Sequence, residues 1–388
     1  MVMATTATQS MATESNYHYV QTAAELLKAC EYLHTSSQVA LDTEFMRVDT
    51  FYPQVGLVQL SDGQRTYLID PLTIDDWQPL QSLLLSPQVD KVLHASSEDL
   101  ELIRHWLGLT PSPIIDTQIA AAYVGHGLSM GLQNMVKTLL HVELEKGETR
   151  SNWLQRPLTA SQCHYAALDV SLLLQCYSKL KAALEAQGKW DWFAADMLAL
   201  ATPKPEIEPQ VSYQNVKNAW RLQGVELVRL QALAAWREEQ ARNLDKPRTF
   251  IVKDPSLVEI AQTNPTHTQA LAGIQDLRPS SLRRYGKGVL QQLSWANKAA
   301  ESEQLVFPAA LPAPLSKSEQ KRYKQLQQCA NAIADEQDLL PQLLVRKKEL
   351  LALFERHRKA QAFMLPEAWL GWRAELLRQP MNDLFNQL

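Results

Sequence analysis

Two proline-rich breaks decide what this 388-residue chain can fold into. Pro203, Pro205 and Pro209 fall between Leu200 and Ser212, and Pro308, Pro312 and Pro314 between Val306 and Ser316. Proline removes a backbone donor and clashes with the preceding helical turn, so both stretches read as connections. A chain of this length also exceeds one ordinary domain. The breaks predict a disordered tail over 1–16, a first domain over 17–199 and a linker over 200–212. A helical domain over 213–300, a linker over 301–315 and a second helical domain over 316–388 complete the expected order.

Strand-like runs are confined to the first domain. QVALDTEF, GLVQLSDG, RTYLIDP and KVLHA are rich in strand formers, and Asp62-Gly63 is a hairpin signal between the second and third. AAELLKACEYL, DWQPLQSLLL, SSEDLELIRHWLG, IIDTQIAAAYV, SMGLQNMVKTLL and the stretch from Thr159 to Gly188 read as helices, with Gly108 as a C-cap. This order predicts an α/β domain, a mixed sheet flanked by helices. The remainder reads as all-α, from NAWRLQGV, LVRLQALAAWREEQARNLD and PSLVEIAQ to KRYKQLQQCANAIADEQ and LLVRKKELLALFERHRKA.

Charge divides with the domains. Residues 1–202 carry 12 Lys+Arg against 22 Asp+Glu, whereas residues 203–388 carry 26 against 20. An acidic half joined to a basic half suits a metal-binding catalytic domain beside a nucleic-acid-binding module. Cys30, Cys163, Cys176 and Cys329 show no metal-type spacing and are expected as free thiols of a cytoplasmic protein. No run of about 20 apolar residues suggests a membrane span, and the small, polar N-terminus does not read as a secretory signal.

Chemistry is suggested by acidic pairs at regular spacing. Asp42 and Glu44 lie two apart in a strand and share a face. Tyr165 and Asp169 lie four apart in a helix and stand one above the other. Asp99 opens a helix, where Ser96 three residues earlier makes an alternative capping pattern and Glu98 is an equally available carboxylate. Four carboxylates brought together would repel, and divalent cations with oxygen ligands would relieve that repulsion. Each pair alone is also compatible with a solvated strand end or a satisfied core tyrosine. The glycines of GHGLSMG have the wrong spacing for a dinucleotide loop and read as a helix-to-helix turn. His94, His126 and His164 lack zinc spacing and read as structural or solvated.

Taken in order, LDTEF, LHASSEDLELI and SNWLQRPLTASQCHYAALDV resemble the DEDD exonuclease superfamily, tyrosine subclass, and within it the ribonuclease D family. EFMRVDTFYPQVGLVQLSDG and IIDTQIAAAYVG add to the resemblance, which covers about residues 17–199. VELVRLQALAAWREEQARNLDKPRTFIVKDPSLVEIAQ resembles the helicase-and-RNase-D C-terminal (HRDC) domain, and 316–388 stands where a second copy would be. The resemblance implies a ribonuclease-H-like α/β exonuclease domain followed by two helical bundles. It selects Asp99 over Glu98 and implies that Asp42, Glu44, Asp99 and Asp169 bind two Mg²⁺ or Mn²⁺ ions, with Tyr165 orienting the attacking water. The implied activity is 3′→5′ exoribonuclease on tRNA precursors and other small structured RNAs, releasing 5′-nucleoside monophosphates. Lys246, Arg248, Lys253, Arg283, Arg284 and Lys287 are the basic residues expected to meet RNA phosphates, in a monomer without membrane attachment. A DNA-directed repair exonuclease and a non-catalytic RNA-binding protein are the competing readings.

Overall fold

Six strands form one mixed sheet: β1 (Tyr17–Val20), β2 (Gln38–Met46), β3 (Gln54–Ser61), β4 (Thr66–Ile69), β5 (Asp90–Leu93) and β6 (Ile114–Asp116). Their spatial order is β1-β4-β3-β2-β5-β6. β2 pairs antiparallel with β3 and β3 with β4, whereas β1–β4, β2–β5 and β5–β6 are parallel. The computed structural model describes residues 16–144, 147–148, 151–203, 206–302 and 304–388. The tail expected over 1–16 therefore lies, except for Asn16, outside the described residues.

Local signals set most element ends. Thr22 and Glu25 close a capping box on α1 (Ala23–Leu33), and Gly108, left-handed at φ 70°, ends α3 (Ser97–Leu107). Between them α2 (Gln78–Leu85) starts on a proline. The turn between β3 and β4 carries Gly63 at φ 86°, as the Asp-Gly pair predicts. IIDTQIAAAYV differs from the helix expected. Its first three residues are β6, and α4 (Thr117–Tyr123) begins only where Asp116 caps it through the Gln118 and Ile119 N–H groups. Three residues form a strand here because β5 offers a partner edge. The helices α5 (Leu132–Leu140), α6 (Ala160–Ser171), α7 (Leu173–Ala186) and α8 (Trp190–Ala201) follow, and α8 extends into the stretch expected as linker.

The phrase SNWLQRPLT docks α6 on the sheet. Arg156 donates from Nε and Nη2 to both oxygens of Asp70, each at 2.6 Å, and from Nη2 to the Gly56 carbonyl at 2.7 Å. Asp70 is fully buried at the end of β4. Gly56 leaves room for Trp153, whose carbonyl oxygen would lie 2.7 Å from any Cβ there. Removing one partner of a buried ion pair strands the other charge. Arg156→Ala is therefore expected to lower unfolding free energy by about 3–5 kcal/mol, read from urea denaturation. A loss below about 1 kcal/mol would show that water replaces the guanidinium.

By contacts the described chain divides into two compact units. One comprises residues 16–46, 54–203 and 320–388, so most of the C-terminal helices group with the sheet. Within it Arg373 of the last helix donates to both oxygens of Asp196 at 2.6 Å, and Trp372 stacks on Trp192 with ring centroids 4.8 Å apart. The other unit comprises residues 47–53 and 206–319. Its helices are α9 (Gly224–Asn243), α10 (Arg248–Ile251), α11 (Asp254–Thr263), α12 (Thr268–Ala272) and α13 (Pro279–Ala300), packed around Leu230, Leu233, Ile260 and Leu293. NAWRLQGV, expected as helix, forms only a 3₁₀ turn at Ala219–Arg221, bounded by left-handed Asn218 and Gly224.

Candidate active site

The carboxylates predicted from spacing meet at the end of β2. Asp42 and Glu44 leave one strand two residues apart, and Asp169 reaches them from α6. Carboxylate oxygens of these three lie within 4.8 Å of one another. A bulge between Glu44 and Phe45 interrupts the β2–β3 register just beyond them. Asp99, 7% exposed, stands next to this group rather than within it, and its carboxylate accepts a hydrogen bond from the Thr43 hydroxyl. Glu98 is exposed, so the helix phase turns Asp99 and not its neighbour inward. Ser96 does not cap α3 through its side chain; its hydroxyl donates to Asp116 at 2.8 Å.

None of the four carboxylates forms an ion pair among the described residues. Their proton affinities show the cost. Burial, followed by the charges of Asp99, Asp169 and Glu44, holds Asp42 well above the usual carboxylate range. Burial and then Asp169 and Asp99 push Glu44 up to about 9. Burial raises Asp99 to about 6 and Asp169 to about 7. A cluster of partly buried carboxylates without a cation is an unfavourable arrangement for the protein alone. The oxygen-only donor set and its excess negative charge fit a hard divalent cation.

Tyr165 sits one turn before Asp169 on α6, whose start is fixed by a capping box between Thr159 and Gln162. Its ring packs near Trp153, with centroids 6.3 Å apart, and its hydroxyl stands beside Asp169. Burial and the Asp169 charge raise the phenol far above its ordinary value, so it is an O–H donor at neutral pH. A cavity of about 360 Å³ opens on Asp42, Tyr165 and Asp169, with Gly131, Leu132 and Asn134 on its wall.

Sequence reasoning missed the residues that hold this site. Asp116 is 3% exposed and accepts from the Ala95 and Ser96 N–H groups as well as from its own helix. It thereby fixes the turn, with Ala95 left-handed at φ 57°, from which α3 and Asp99 start. Thr43 lay inside the DTE motif, but its contact spans 56 residues and leaves no local signal.

The six basic residues divide into two groups. Arg248 and Lys253 line a cleft of about 770 Å³ that also holds Arg47 and Arg237. Arg248 is already paired with Glu238, and Lys246 donates to the Asp49 carbonyl at 3.1 Å. Arg283, Arg284 and Lys287 lie exposed on α13, away from its buried Tyr285, Val289 and Leu293.

A family model described as 3′-5′ exonuclease matches residues 17–185, and one described as HRDC domain matches residues 226–293. The ribonuclease D of Pseudomonas paraeruginosa is 41% identical over 370 residues, covering 95% of this chain and 97% of that protein. The ribonuclease D of Escherichia coli is 36% identical over 380 residues, covering 96% and 99% respectively. The crystal structure of Escherichia coli RNase D, an exoribonuclease involved in structured RNA processing, matches with a TM-score of 0.88 at 34% identity. That match covers 96% of this chain and 99% of the other. The α/β exonuclease domain followed by helical domains, expected from sequence, is the architecture these relatives share. The chain belongs to the ribonuclease D family of 3′→5′ exoribonucleases.

Proposed function

We propose that Asp42, Glu44, Asp99 and Asp169 hold two divalent cations, Mg²⁺ or Mn²⁺, and that the enzyme trims the 3′ ends of tRNA precursors and other small structured RNAs. The observation that carries this reading is the half-buried to buried carboxylate group without a cationic partner among the described residues, opening on a cavity of about 360 Å³. Cations bound there supply Lewis-acid activation of water and stabilise charge on the phosphodiester and the leaving 3′ oxygen. Tyr165 contributes a hydroxyl donor beside Asp169 that orients the attacking water. It acts at most as an assisting base, since a phenol is protonated at neutral pH and the cations carry most of the activation. The products are 5′-nucleoside monophosphates.

The helical domains supply phosphate contacts, which give affinity without sequence readout. Lys253, Arg283, Arg284 and Lys287 are the principal contacts, and Lys246 and Arg248 contribute less because Asp49 and Glu238 already engage them. The region 316–388 is read as a second helical domain of the same kind. The protein works as a cytoplasmic monomer. The four cysteines are free thiols, which suits a reducing compartment. Among the described residues no helix is long and apolar enough to cross a membrane.

The test is nucleotide release from 3′-labelled RNA and matching DNA oligonucleotides with Mg²⁺ or Mn²⁺. Release from RNA at more than about ten times the DNA rate is expected. Equal rates would favour a DNA-directed exonuclease. Metal-independent retention of RNA with no release would identify a binding protein.

A further inference from the structure

One wall of the active-site cavity is the first turn of α5, from Gly131 to Asn134. The N-cap of that helix is Gly131, which has no side chain to hold the turn. The preceding segment is the GHGLSMG connection, with Gly125 and Gly127 both left-handed. Such a turn has little local reason to keep one position. Its position is instead set from outside. The Met130 carbonyl, one residue before the cap, accepts from His94 Nε2 at 2.9 Å and from Gln118 Nε2 at 3.1 Å.

His94 is well placed for this. It follows Leu93, the last residue of β5, and lines the cavity itself. Its second nitrogen, Nδ1, lies 2.9 Å from the Thr117 hydroxyl at the start of α4. A carbonyl can only accept, so the proton facing Met130 belongs to Nε2. Burial lowers the proton affinity of the ring. The Thr117 hydroxyl beside Nδ1 also reaches the Leu93 carbonyl at 2.9 Å, which ties it to the end of β5. One imidazole thus joins the sheet end, α4 and the approach to α5.

We propose that His94 is a positioning residue for the substrate: through Met130 it holds the first turn of α5 against the terminal nucleotide. This rests on the reading of the cavity as the nucleotide site. His94 touches neither the reacting phosphate nor the cations in this proposal, so its loss acts on binding rather than on the chemical step.

The experiment compares His94→Phe, His94→Gln and Gln118→Ala in the full chain, measuring kcat and KM on a single-stranded RNA with Mg²⁺. Loss of one hydrogen bond to Met130 is expected to raise KM about tenfold in His94→Phe, with kcat within about threefold of wild type. His94→Gln places an amide N–H at a similar reach and is expected to restore KM to within about threefold. Gln118→Ala removes the other donor to the same carbonyl and is expected to raise KM by about threefold to tenfold. Amide hydrogen exchange at Met135, whose N–H donates to the Gly131 carbonyl at 3.0 Å, should accelerate in His94→Phe while the sheet stays protected. Wild-type KM in His94→Phe, a fall in kcat alone, or a His94→Gln variant no better than His94→Phe would each overturn the proposal. Should His94→Phe fail to fold, Gln118→Ala decides, and an unchanged KM there overturns it. A wild-type protein that releases no nucleotide would instead overturn the function proposed above.

Discussion

Asp42→Asn is expected to lower nucleotide release by about 10³-fold or more while leaving the fold intact. A cation in such a site supplies several kcal/mol of transition-state stabilisation, and each factor of ten in rate is about 1.4 kcal/mol. Asparagine keeps the shape of the side chain but not its charge. The same change has an opposite effect on the cation-free protein. Half-buried Asp42 stands beside three other carboxylates whose charges oppose its own ionisation. Asparagine removes an ionisation that the folded site opposes, so the melting temperature without metal should stay equal or rise. Wild type should gain about 2.7 kcal/mol of stability at a cation concentration about 100 times Kd, and the variant should lose most of that gain. Turnover at the wild-type level with saturating Mg²⁺ would sink the assignment. So would an unchanged metal-induced shift in melting temperature.

Tyr165→Phe should reduce kcat by about 10²-fold with KM and the metal-induced stabilisation nearly unchanged. The ring remains and still packs near Trp153, so the wall of the cavity survives. Only the hydroxyl next to Asp169 is lost. A phenol is protonated at neutral pH, so its role is orientation of the attacking water. A variant that loses RNA affinity at constant kcat would assign the hydroxyl to substrate contact instead.

The structure also changes how the C-terminal helices are understood. Their sequence reads as a separate bundle after a proline-rich linker. Arg373 and Trp372 nevertheless engage Asp196 and Trp192 on α8. Asp196 in turn accepts from the Tyr123 hydroxyl at 2.7 Å, at the end of α4. A chain cut near Leu200 would leave an aromatic surface and the half-buried Asp196 carboxylate open, so the nuclease half depends on the far end of the sequence.

What was legible in the sequence follows from local backbone geometry. The spacing of two in VALDTEF and of four in HYAALDV fixes which side chains share a face, whatever the rest of the chain does. Capping residues and Asp-Gly turns are equally local, which is why α1, the end of α3 and the β3–β4 hairpin were readable. The family resemblance then ordered these fragments into one nuclease and distinguished Asp99 from Glu98, a choice the residues alone left open. Tertiary structure decided the rest. It made β6 a strand by giving it β5 as partner, turned Asp99 to Thr43, closed Arg156 on Asp70 and tied His94 to Met130. The contacts made by Asp99, Arg156 and His94 join residues 56, 86 and 36 positions apart. No local periodicity encodes such contacts, because they depend on sheet register and on which helix face packs inward, and both are settled only when the whole core is assembled.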